Sequence, residues 1–401
     1  MDEQRLNAYL ELIQALLECP NGEEDDILNA NRELVDADFV QVMEAVAADM
    51  AAEGNSNAAW LQNLAAYLKN YVRSIKTPEE YLSFLMEVLQ ATNESGGNPQ
   101  VVYPILQQNL HKLNLNFAQT LQSWATSTFT KITSEQVALI ARVIVDVGNL
   151  IQQFPLGRQA WNLEISIACY TAALEVYKRK NYSEQWAMTQ NNLGNAYKNR
   201  IEGVRAANIE EAISCYTAAL EVYKCKDYPE YWAGTQNNLG NAYSNRIEGV
   251  RAANIEEAIA CCRLALKVAT RENYPKYWAM TQNNLGLTYS DRIEGVRAAN
   301  IEQAIARYTA ALEVYNHDNY PEQWAMTQHD LAIAYCNRIA GVRAANIEEA
   351  ISCFRLSLEV LTRENYPEYW ATTQNNLAAA YSNRIAGVRT ENIEKAISCY
   401  K

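Results

Sequence analysis

The segment "TQNNLGNAYKNRIEGVRAANIEEAISCY", Thr189–Tyr216, returns downstream with small changes three more times, and a fourth time at the chain end. Trp186, Trp232, Trp278, Trp324 and Trp370 stand 46 residues apart, as do Gly203, Gly249, Gly295, Gly341 and Gly387. No insertion or deletion breaks the register. A fixed period of this length means that one supersecondary unit is copied and buries its apolar face against its neighbours. That restricts the chain to a solenoid or an array before any other feature is weighed.

Each copy reads as two helices. In "WAMTQNNLGNAYKNRI", Leu193, Ala196, Tyr197 and Ile201 recur at helical spacing on one face. Pro229, Pro275, Pro321 and Pro367 suit the first turn of this helix. Gly203 and its copies follow it, where a left-handed cap residue is wanted. A second helix is expected from "NIEEAISCYTAALEVY", with Asn208 as N-cap and Glu211 as its capping-box partner. The box recurs as Asn254/Glu257, Asn300/Gln303 and Asn346/Glu349, and weakens at Asn392/Lys395. Ile209, Ala212, Ile213, Tyr216, Ala219 and Leu220 form the buried stripe. The fold class is therefore all-α, an α-solenoid of antiparallel helix pairs.

Shifting back one period aligns Gly148, Asn149 and Tyr170 with Gly194, Asn195 and Tyr216, so a degenerate copy precedes the regular ones. The solenoid is expected over 135–401. Residues 1–134 are helical but do not repeat, and are expected to form a small capping or adaptor domain. There, Trp60/Leu61, Leu64, Tyr67/Leu68 and Tyr71 make an apolar stripe, and Thr77, Pro78 and Glu80 read as a helix start. The sequence stops at "KAISCYK", inside a second helix. This reads as a fragment of a longer protein and predicts end-to-end self-association through the uncapped last copy.

Net charge is −13, but residues 1–60 alone hold fourteen acidic residues against two arginines, which is −12 and leaves −1 for the rest. A near-neutral repeat region has no excess of cations to neutralise phosphates, which disfavours nucleic acid as a partner. The acidic start "MDEQRLNAYLELIQALLECP" lacks the layout of a signal peptide, and no run of about 18 apolar residues exists to span a membrane. Cys169, Cys215, Cys261, Cys353 and Cys399 share one repeat position, with Arg307 at the sixth. Equivalent positions of stacked repeats lie too far apart for a disulfide, so reduced thiols and a cytoplasmic location are expected.

The spacings Leu193-Gly194-x-x-Tyr197 and Ala212-x-x-x-Tyr216 resemble the tetratricopeptide repeat (TPR). Gln190 stands where that repeat has Trp, and the period of 46 exceeds its usual length of about 34. Taken with "QWAMTQNNLGNAY", "NRIEGVRAANIEEAI" and "TPEEYLSFLMEVLQATNESGGNPQVVYP", the chain resembles cyanobacterial long-repeat TPR proteins. Those often carry a C-terminal caspase-like (CHAT) peptidase domain. The resemblance implies a recognition or regulatory module for an effector domain, and first helices that line a concave face. On that implication the outward positions are Asn191, Asn195, Asn199; Asn237, Asn241, Asn245; Asn283, Leu287, Asp291; His329, Ile333, Asn337; and Asn375, Ala379, Asn383.

An amide offers donors and an acceptor together, so a ladder of asparagines suits the backbone of an extended peptide. Asparagine disfavours helix interiors, so its repetition needs a reason. The competing reading is that one asparagine of each pair bonds the neighbouring repeat. Arg200 and Arg205 with their copies read as structural pairs or as an anion-binding ridge. Of three function classes, a peptide- or protein-binding scaffold is favoured over a structural spacer and over an enzyme. The only histidines, His111, His317 and His329, lie in no catalytic motif. No zinc spacing and no phosphate-binding loop occur, so no metal or cofactor is expected. The acidic "GEEDD" (22–26) reads as a solvated loop.

Overall fold

The computed structural model describes residues 3–19, 24–31, 34–55, 57–74 and 78–400. Gly22 and Glu23 of "GEEDD" and the Thr77 helix start are outside the described residues, as is the side chain of Tyr71, whereas Glu24, Asp25 and Asp26 open a helix rather than continue the expected loop. The chain divides into two compact units, 1–88 with 109–112, and 89–108 with 113–401.

The first unit holds α1 (Glu3–Glu18), α2 (Glu24–Ala30), α3 (Ala37–Ala52) and α4 (Ala58–Ser74), and α5 (Pro78–Ser95) begins in it. Its core gathers Tyr9, Ile13, Leu16, Phe39, Met43, Leu61 and Leu68. Asp36 caps α3 by accepting from the Phe39 N–H at 2.8 Å, and also accepts from the Tyr9 hydroxyl at 2.6 Å and from Arg5 at 2.7 Å. The expected stripe on α4 holds at Leu61 and Leu68, but Tyr67 is 63% exposed. Its register turns the ring away from the face that α3 covers.

The second unit comprises α6 (Pro99–Gln108), α7 (Leu115–Phe129) and six helix pairs. These are α8 (Ser134–Gln153) with α9 (Gln159–Val176), α10 (Ser183–Asn199) with α11 (Arg205–Val222), and α12 (Pro229–Ser244) with α13 (Arg251–Ala265). Then come α14 (Pro275–Asp291) with α15 (Arg297–Ala311), α16 (Pro321–Asn337) with α17 (Arg343–Ser357), and α18 (Pro367–Ser382) with α19 (Arg389–Tyr400). Each first helix packs on its own second helix, and each second helix on the next first helix. That is an α-solenoid of TPR-like helix pairs. Helix α7 packs on α9, so the unit takes in residues ahead of the repeat pattern. Successive first helices also touch one another, α12 with α14 most closely, whereas contact between successive second helices is slighter. The first helices therefore approach one another more closely than the second helices do.

Pro229, Pro275, Pro321 and Pro367 each open a first helix, as their fixed φ suits. The second helices start earlier than the capping-box pattern predicts. The N-cap of α11 is Val204, with no side-chain cap, and Asn208 lies inside the first turn, 3% exposed. Gly203, at φ +78°, is left-handed as expected, but it turns the loop three residues beyond the Arg200 C-cap and starts the helix early. The Asn208 Nδ2 instead reaches back and donates to the Glu202 carbonyl at 2.8 Å. Asn254, Asn300, Asn346 and Asn392 repeat that bond to Glu248, Glu294, Ala340 and Ala386 at 2.8–2.9 Å. The asparagine is thus a clip for the loop within each pair.

Candidate functional site

Helices α10, α12, α14, α16 and α18 carry the asparagines in strips along their length. The first strip is not open. Asn191 is half-buried, Asn237 is 2% exposed and His329 6%, while Asn375 is exposed. Asn191, Asn237 and His329 face the next first helix. The Asn191 Oδ1 accepts from the Asn238 amide at 3.3 Å and from the Thr235 hydroxyl at 3.2 Å. The Asn237 Oδ1 accepts from the Asn284 amide at 2.9 Å. One period earlier, Asn192 donates to Asn149 at 3.0 Å. Asn192, Asn238 and Asn284, the second asparagines of their pairs and absent from the outward set expected from the sequence, are therefore the donors that join neighbouring first helices.

His329 replaces an asparagine in this strip and keeps an inter-repeat bond. Its Nδ1 lies 2.8 Å from the Thr373 hydroxyl. That hydroxyl gives its one proton to the Tyr369 carbonyl at 2.7 Å, so it accepts from Nδ1–H and leaves Nε2 as the acceptor nitrogen. Burial lowers the His329 pKa and keeps the ring neutral. The ring meets Phe354 edge-on, with centroids 5.6 Å apart.

The next strip mixes chemistry. The Asn195 Oδ1 accepts from the Tyr216 hydroxyl at 2.8 Å, which leaves its Nδ2 without a bond in that contact. Asn241 is half-buried, and its Oδ1 accepts from Asn245 at 3.0 Å. Further along, Leu287 is 39% exposed, Ile333 is half-buried and Ala379 is exposed. The outermost strip, Asn199, Asn245, Asp291, Asn337 and Asn383, is exposed throughout. The Asn245 and Asn383 amides turn back on the carbonyls of Asn241 and Ala379 at 2.8 and 2.9 Å. Asn283 is half-buried, and its Oδ1 is enclosed without a hydrogen-bond partner.

The arginines form a separate structural ladder. Arg200 grips Glu164 of the preceding pair through Nε and Nη2 at 2.6 and 2.8 Å. Arg246–Glu210, Arg292–Glu256, Arg338–Glu302 and Arg384–Glu348 repeat the two-point contact. Arg205 reaches neither Glu210 nor a neighbouring pair, but donates to the Lys198 carbonyl at the end of α10. Arg251, Arg297, Arg343 and Arg389 also donate to such carbonyls, at Ser244, Ser290, Cys336 and Ser382, which the helix end leaves open, and Arg251 in addition bonds Asp291 of the following pair at 3.1 Å.

A mainly apolar cleft of about 350 Å³ lies between α8 and α10, lined by Leu139, Val145, Tyr177, Tyr182 and Met188. Asp146 at its edge is pushed up by burial, and Arg142 one turn away opposes that shift. Among the described residues, no cluster of three His, Cys, Asp or Glu side chains could hold a metal, and no helix is long and apolar enough to cross a membrane. All nine cysteines are free.

No protein-family model matches the chain, and no curated protein matches it. Among solved structures it is similar to c5321, a protective antigen of uropathogenic Escherichia coli strains displaying an SLR fold. Identity is 14%, covering 98% of this chain and 76% of that one, with a TM-score of 0.40. It is also similar to the TPR domain of P58(IPK), at 15% identity over 98% of both chains, with a TM-score of 0.24. The fold assignment rests on the helix pairing itself.

Proposed function

We propose that the chain is a binding scaffold rather than an enzyme, and that it holds an extended peptide or protein segment along the asparagine strips of its first helices. The observation that supports this most is the outermost strip, where Asn199, Asn245, Asn337 and Asn383 recur in register and stay exposed. A peptide backbone laid across the repeats meets an amide at every first helix of the strip except that of Asp291, and amides pair with either backbone group. By the resemblance drawn from the sequence, binding is relayed to a C-terminal caspase-like effector. The nine free cysteines fit a cytoplasmic setting for this role.

A second reading is a structural spacer. The bonds of Asn191 and Asn237 to the following helix favour it, because those carbonyls are spent on stacking. Selection of a displayed random-peptide library on the purified chain separates the two. The scaffold reading predicts an enriched family of extended peptides. A spacer enriches none.

A further inference from the structure

The inter-repeat amide ladder fails at the junction of α14 with α16. Asn238 and Asn284 each donate to a carbonyl one first helix earlier, Asn191 and Asn237. At the next junction the equivalent residue is Asp330, which has no amide to give. The Asn283 Oδ1 that would have received the bond is buried without a partner among the described residues. An amide oxygen and a carboxyl group thus stand at one junction that has lost its amide donor. Buried acceptors without donors are unfavourable, and the group that would satisfy them carries several N–H bonds.

Two further observations point the same way. Asp146 occupies the same repeat position as Asp330, and Arg142 relieves its burial. Asp330 has no such neighbour: burial alone acts on its carboxyl and pushes it up to about 7. Alongside it, the strip that holds Asn195 and Asn241 in earlier repeats becomes Leu287 and Ile333, with Leu287 39% exposed.

We propose that Asp330 and Asn283 form a subsite for the lysine or arginine side chain of an extended peptide, with Leu287 and Ile333 receiving an adjacent apolar side chain. This rests on the groove reading above. An incoming ammonium or guanidinium favours the ionised carboxylate and supplies the missing N–H donors. The role requires a chain-supplied cation to be absent, and Asp330 is the ladder aspartate that lacks one.

The test is library selection run in parallel on the wild-type chain and on Asp330→Asn, which restores the donor found in other repeats. The wild type is expected to enrich peptides with Lys or Arg at one fixed position next to an apolar residue. Asp330→Asn loses that preference at least tenfold while still enriching peptides. The split between Lys and Arg identifies ammonium or guanidinium as the preferred cation. Peptides enriched without a cationic position, or an unchanged preference in the variant, overturn the subsite and leave the groove standing. No enrichment by the wild type overturns the groove and the subsite together. Thermal melting supplies a second readout: Asp330→Asn is expected to melt higher, and a lower melting temperature assigns Asp330 to the fold instead.

Discussion

At residue scale, Gly286 and Tyr308 show how tightly a pair is built. A Cβ on Gly286 would stand 2.6 Å from Cε1 and 2.8 Å from Cδ1 of the Tyr308 ring. Gly194 meets Tyr216 in the same way, at 2.7 Å. Where Phe354 takes the tyrosine position, Ala332 replaces the glycine. Gly286→Ala is accordingly expected to lower stability by about 1–3 kcal/mol, read from denaturant unfolding. An unchanged midpoint would show that the ring moves aside freely.

Asp330 sets a pH dependence at the same scale. Its folded-state pKa, about 7, lies above the ordinary 3.8. A raised pKa means that the folded chain holds the proton more tightly. The contribution therefore stabilises below about pH 4 and is lost as pH rises through 7. The advantage of Asp330→Asn over the wild type should grow by about 2–3 kcal/mol between pH 5 and pH 8, at about 1.4 kcal/mol per unit. His329, Tyr308 and Asp291 are common to both chains and cancel in the difference. A difference that stays flat with pH would mean that the carboxyl is not buried as the structure has it.

At the scale of the element, each helix pair is tied internally by an asparagine clip and externally by an arginine. Asn254→Ala leaves the Glu248 carbonyl without its 2.8 Å bond and is expected to cost about 1–2 kcal/mol in an unfolding titration. Arg292→Lys gives up the two-point grip on Glu256, a partly exposed pair, and should cost no more than about 1 kcal/mol. The helix pairs, their proline starts and the left-handed glycines were legible in the sequence, because period and local conformational preference report them directly. The capping role read for Asn208 was not correct. The motif fits a cap, but the Gly203 turn starts the helix before the asparagine arrives, and spacing alone does not show that. The Arg200–Glu164 bridge spans neighbouring pairs at a separation of 36 residues, so no local pattern reveals it.

Across the whole molecule, the repeat pattern marks where the solenoid is regular but not what packs against its first pair. Phe117 and Leu121 of α7 are fully buried, and α7 packs on α9. A fragment starting at residue 113 should therefore be more stable than one starting at 131, by at least about 3 kcal/mol for the two lost side chains. Equal melting of the two fragments would remove α7 from the repeat unit. The asparagine strips were legible only in part. The 46-residue register placed the asparagines on one helix, but the division of work between the first and second asparagine depends on contacts across repeats. Asn191 and Asn237 turn their carbonyls to the following helix, whereas Asn199 and Asn337 stay exposed.

The peptide-scaffold account is tested most directly on those exposed amides. Asn199→Ala, Asn245→Ala and Asn337→Ala are combined in one chain and measured twice, by thermal melting and by titration with a library-selected peptide. Each amide is expected to contribute about 0.5–1.5 kcal/mol to binding, so affinity should fall roughly ten- to a hundredfold or more. Melting should hold or rise slightly, because alanine favours helix over asparagine. Unchanged affinity would contradict the account and leave the solenoid as a spacer, all the more so if the melting temperature fell.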